Sequence, residues 1–115
     1  MQIPKPTDAD KERFRSLVPD DPRVDVKPMF GNLGAFVNGN MFMGLFGADI
    51  GLRLAPADAN ELGAVPGAGP FGPAERPMGG YVTLPRSLAG TADGARWVER
   101  SLEQAVALPP KTPKR

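Results

Sequence analysis

Between residues 27 and 54 the chain reads KPMFGNLGAFVNGNMFMGLFGADIGLRL, apolar runs of strand length cut by short turn signals. This stretch holds four of the six phenylalanines and three of the five methionines, so the other elements are read around it. Asn38-Gly39 separates Gly34-Ala-Phe-Val37 from Met41-Phe-Met-Gly-Leu-Phe46. An Asn-Gly pair between apolar runs predicts a hairpin, because both residues accept the positive φ of a type I′ turn. Gly47-Ala-Asp49 then sets off Ile50-Gly-Leu-Arg-Leu54, and the pattern predicts an antiparallel three-strand meander.

Two-residue loops at Asn38-Gly39 and Ala48-Asp49 sort the side chains onto two faces. One face carries Phe36, Met41, Met43, Leu45, Leu52 and Leu54 and is the expected core. The other carries Ala35, Val37, Phe42, Gly44, Phe46, Gly51 and Arg53, which is too apolar for a sheet face open to water. Either a loop, the C-terminal tail or the helix at Ala57 covers it, or it is a contact surface for a second copy or a partner protein. On the second reading the contact residues are Ala35, Val37, Phe42, Phe46 and Arg53.

The flanks supply helices. Thr7 with Asp8 and Asp10 predicts an N-cap and an acidic first turn, and Phe14, Leu17 and Val18 share one face before Pro19 ends the helix. Asp20-Asp21 reads as a solvated turn, and Val24-Asp-Val26 as a short lead-in strand. Residues 55–62 predict a short helix with Pro56 in its first turn. Residues 63–80 are too rich in glycine and proline for a helix or an inner strand, which leaves a mobile segment or a binding lid anchored by Phe71 and Met78. Tyr81-Val-Thr-Leu84 is a further strand. A last helix, capped by Thr91 or Asp93, turns Ala95, Val98, Leu102, Ala105 and Val106 inward, with Trp97 beside them. Residues 1–6 are expected to be a loose arm, and 109–115 a basic tail.

Composition narrows the chemistry more than it suggests any. With 115 residues the chain is read as one domain, and its net charge of +1 gives no electrostatic footprint for nucleic acid. There is no cysteine and no histidine, which removes thiolate nucleophiles, cysteine–histidine metal sites and the commonest general base. Gly31-Asn-Leu-Gly34 lacks the Lys-Ser/Thr ending of a phosphate cradle and opens no helix. Asp49, Asp58 and Glu61 lack the dense acidic loop of a calcium site. One tyrosine and one tryptophan make no stacking series for bases. No cofactor, metal site or membrane span is expected, and the default location is the cytoplasm.

Several segments in order resemble the TfoX/Sxy family, specifically its N-terminal domain: Lys27-Pro-Met-Phe-Gly31, Phe-Val-Asn-Gly-Asn-Met-Phe42, Gly-Leu-Arg-Leu54, Arg76-Pro-Met78 and Tyr81-Val-Thr-Leu-Pro85. A closing helix with a tryptophan followed by Leu-Pro-Pro-Lys is similar to its short stand-alone members. The resemblance runs from about residue 8 to 111. It implies a two-layer α+β fold, one antiparallel sheet with helices on one face, similar to secretion-chaperone-like domains. It also implies a link to regulators of natural competence, which act as coactivators beside a cyclic-AMP-responsive transcription factor. The sequence stops where their second domain would begin. The resemblance brings no catalytic residues.

Two functions follow as expectations. The first is a non-enzymatic interaction domain that works by protein–protein contact, as a homodimer or with another protein. The alternative is a small-molecule binder with residues 63–80 as lid and Arg53 and Arg76 as anion anchors.

Overall fold

Thr7 opens the first helix, α1 (Asp8–Leu17), through a reciprocal cap. Its hydroxyl accepts from the Asp10 N–H at 3.1 Å while the Asp10 carboxylate accepts from the Thr7 N–H at 2.9 Å. That backbone hydrogen bond holds the Asp10 carboxyl below its ordinary range. The remaining elements of the computed structural model, which describes residues 4–29, 31–73 and 75–110, follow in chain order. They are β1 (Val24–Met29), β2 (Asn32–Val37), β3 (Asn40–Phe46), β4 (Asp49–Arg53), α2 (Pro56–Gly63), β5 (Gly69–Pro70), β6 (Tyr81–Thr83) and α3 (Ala92–Val106). Residues 1–3 and the basic end of the predicted tail, 111–115, lie outside the described residues.

The strands form one open antiparallel sheet in the order β1-β2-β3-β4-β6-β5. The meander is thus longer by one strand than the sequence predicts, because β1 runs on through Lys27 and Pro28. Asn38 and Gly39 take φ of 52° and 80°, the left-handed pair that the hairpin requires. The next loop is Gly47-Ala48, not Ala48-Asp49, since Phe46 pairs with Asp49 and Leu45 with Ile50. Sliding that loop by one residue moves each partner by two, so the faces of β4 stay as expected.

The larger correction lies in β3. Phe36 pairs with Met41 but Ala35 pairs with Met43, which leaves Phe42 as the extra residue of a β-bulge. Phe42 and Met43 consequently both turn into the core. Along β2, and in β3 on the turn side of the bulge, the faces are the reverse of the expected ones. Ala35, Val37 and Phe42 belong to the core, while Phe36 and Met41 stand on the outer face.

All three helices contribute to that core: Phe14 from α1, Leu62 from α2, and Val98, Leu102 and Ala105 from α3 pack with Leu33, Leu45, Ile50, Leu52, Leu54, Val82 and Leu84 of the sheet side. The architecture is α+β in two layers. Ala95 is exposed and lies outside the stripe assigned to it; Ser101 is buried within it. The Ser101 hydroxyl stands 2.7 Å from both the Phe42 and the Arg53 carbonyl oxygens. A bulge interrupts the ladder, and α3 thus returns a donor to the strand that lost one. Replacing Ser101 by alanine removes this donor, which serves one of the two carbonyls at a time, and is expected to lower unfolding stability by about 1–2 kcal/mol. Urea melts of the variant check this, and an unchanged midpoint would show that the bulge needs no support from α3.

Two buried asparagines fix the chain's flanking segments. Asn32 donates to the Pro4 carbonyl at 3.1 Å and accepts from the Gly47 N–H at 2.8 Å. Asn40 donates to the Pro109 carbonyl at 3.0 Å. The arm expected to be loose is therefore bonded to the sheet at Pro4.

Candidate interaction face of the sheet

The outer face, away from the helices, is built on a row of glycines. Lys27 pairs with Gly34, Gly34 with Gly44, Gly44 with Gly51, and Gly51 with Thr83, so the row crosses five strands at right angles to their run. Without side chains at its centre the sheet has a trough, and three side chains fill it. A Cβ on Gly34 would lie 2.9 Å from the Phe36 ring and 3.0 Å from the Met41 sulfur. One on Gly44 would touch Met41 and Phe71 at 3.4 Å. One on Gly51 would be 2.3 Å from Phe71 Cγ, inside the ring's van der Waals surface. Only glycine at 51 admits Phe71.

Phe71 comes from the glycine- and proline-rich segment and is 2% exposed, although it takes no part in the helix-side core. Its ring meets Phe46 edge-on at 6.2 Å between centroids and lies tilted against Tyr81 at 6.0 Å. The Met78 N–H donates to the Phe71 carbonyl at 2.8 Å, and Val65 and Ala68 pack on the core. Residues 63–80 thus include a strap packed against the sheet, with Phe71 as its anchor, in place of the lid or mobile segment expected. The Tyr81 hydroxyl donates to the Met41 carbonyl at 3.0 Å. Burial raises the Tyr81 pKa, opposed in part by the Arg53 charge beside it. At the other end of the row the Lys27 ammonium sits 5.5 Å from the Phe36 ring centroid.

Of the five residues expected to form a contact surface, this face retains two. Phe46 and Arg53 are half-buried on it. Ala35, Val37 and Phe42 have no exposure at all and are removed from the candidate surface; the bulge turns them into the core. Their places are taken by Phe36, Met41 and Tyr81, each half-buried, around the packed Phe71. A glycine in the middle of each of β2, β3 and β4 was the sequence signal for this trough.

Three clefts formed by described residues lie elsewhere. One of about 380 Å³ is lined by Arg13, Asp49, Thr83, Pro85, Arg86 and Ser87 among others, at the end of the sheet near α1. Arg13 is occupied there, donating to Asp10 at 3.2 Å and to the Ala48 carbonyl at 2.9 Å. A groove of about 580 Å³ runs along α3 past Leu102 and Val106 to Asp21 and Arg23. Arg23 holds the Asp21 carboxyl down to about 2, so this carboxylate is an ion-pair partner in a turn. The third, about 290 Å³, is lined by Glu61, Asp93, Arg96, Trp97 and Arg100. There Arg100 stacks on Trp97 and pairs with Asp58 and Glu61, tying α3 to α2. Arg53 is half-buried and Arg76 exposed, and neither lines any of these three clefts. Among the described residues no three acidic side chains gather as a metal site would need. Nor is any helix there long and apolar enough to cross a membrane.

A family model for the TfoX N-terminal domain matches residues 13–105 of the 115. The chain belongs to the TfoX N-terminal domain family. No curated protein and no solved structure matches it. The family match spans all six strands, so the glycine row and the Phe71 strap lie within the TfoX N-terminal region.

Proposed function

We propose that this TfoX N-terminal domain is a non-enzymatic regulatory module of the cytoplasm that acts by contact with another protein, through the outer face of its sheet. The observation that carries the reading is the half-open layer of Phe36, Met41, Phe46 and Tyr81 on that face, with Lys27 and Arg53 at its margins. An apolar, aromatic centre with cationic rim groups is the composition of a protein contact surface. The family suggests a regulatory role, and the resemblance to competence regulators makes transcription the process to look at. No cofactor is needed for such a role.

The test is a transcript profile in the native cell, comparing deletion of the gene with a Phe36→Ser/Phe46→Ser replacement whose melting curve shows it still folds. The replacement is expected to reproduce the deletion. A deletion that alters no transcripts overturns the regulatory reading, and a replacement indistinguishable from the parent removes the outer face as the contact. Phe46→Ser alone serves if the double replacement does not fold.

A further inference from the structure

An open sheet has two margins, and β1 forms one of them along its whole length. Four of its six residues are exposed, and Val26, at 39%, is the large hydrophobic side chain most open to water among the described residues. Met29 pairs with Asn32 across two residues, and such a closing pair is mutually hydrogen-bonded. By alternation Met29, Lys27 and Asp25 turn their peptide groups toward β2, and Val24, Val26 and Pro28 turn theirs outward. Two observations agree with this. The Val24 N–H donates to the Asp21 carbonyl at 3.0 Å, off the ladder, and Pro28, with no N–H to give, occupies an outward position.

We propose that β1 is a self-pairing edge, through which two copies of this chain join antiparallel about Val26 into one continuous sheet. The sequence Val24-Asp-Val-Lys-Pro28 is complementary to its own reverse. With Val26 opposite Val26 of the second copy, Asp25 faces Lys27 twice by symmetry, and Val24 faces Pro28 twice. The charged pairs lie on the outer face, where Asp25 and Lys27 pair with Phe36 and Gly34. The apolar pairs lie on the helix side, with Val26 paired to Ala35. The two Val26 residues exchange two main-chain hydrogen bonds.

Register is specified by charge. Centring the pair on Asp25 places aspartate against aspartate, and centring it on Lys27 places lysine against lysine, both unfavourable. Lysine and proline on an edge are devices that discourage indiscriminate strand pairing, and Pro28 limits this ladder to the Val26 exchange. The result is a short, register-specific contact that forms on concentration and separates on dilution. It does not involve the aromatic layer of the outer face, and it stands or falls apart from the regulatory reading.

Sedimentation equilibrium over a concentration series tests it. The unaltered chain is expected to dimerise reversibly, and one that stays monomeric up to about 1 mM overturns the proposal. Val26→Pro removes an outward N–H without touching the β1–β2 ladder, and is expected to weaken dimerisation roughly tenfold or more. A dimer unchanged in strength by it uses some other surface. Asp25→Lys sets like charges opposite and is expected to weaken the dimer, while the exchanged pair Asp25→Lys/Lys27→Asp restores it. Restoration that fails in a folded protein overturns the register, and this arm decides the matter if Val26→Pro does not fold.

Discussion

Replacing Phe42 by alanine is expected to lower the stability of the domain by about 3–5 kcal/mol, a large share of what a chain of this size has. The ring has no exposure and lies with Met43 where sheet and helices meet, so its removal leaves a cavity lined by elements that cannot all close in. Phe46→Ala, three positions beyond Met43 and half-exposed on the opposite face, is expected to cost far less. Guanidinium melts of the two variants check the difference. If Phe46 proves the more costly, the bulge does not place Phe42 in the core. Were β3 regular, the ranking of the two phenylalanines could not be argued this way.

Gly51→Ala is expected to destabilise by about 2–3 kcal/mol, against what backbone preference alone would give. Alanine in a strand is favoured over glycine by roughly 0.5–1 kcal/mol, so propensity predicts a gain. The new Cβ, however, would lie 2.3 Å from Phe71 Cγ and 2.5 Å from both ring carbons beyond it. The ring has to leave the trough, and its contacts with Phe46 and Tyr81 go with it. The sign should therefore reverse in a Phe71→Ala background, where Gly51→Ala becomes neutral or stabilising. A double-mutant cycle measures the coupling. Strict additivity would mean that the strap does not rest on Gly51.

The turns and helix caps were legible because their chemistry is local. Asn38-Gly39 announces positive φ wherever it occurs, and Thr7 with Asp10 closes a cap within one helical turn. The bulge was not. Phe42 and Met43 are both apolar, so nothing in a period-two pattern marks where the alternation slips, and a single extra residue exchanges the faces on one side of it. Its supporting group, Ser101, lies 59 residues away on α3. The candidate face failed in part for the same reason: its residues were chosen by parity, and parity holds only beyond the slip. Phe71 was legible as an anchor but not as the filling of the glycine row. Gly34, Gly44 and Gly51 align only once the register of three strands is known.

The two asparagine tethers bear on how the molecule can be re-engineered. Asn32 and Asn40 stand at opposite ends of the β2–β3 hairpin, so Pro4 and Pro109 are held at opposite ends of these two strands, roughly 17 Å apart along them. Reporter groups appended beyond these two points would project from different ends. In a circular permutant the connection from Pro109 to Pro4 must span at least about six extended residues, or it pulls an asparagine from its carbonyl; the nine residues of the chain outside these two points already exceed that length.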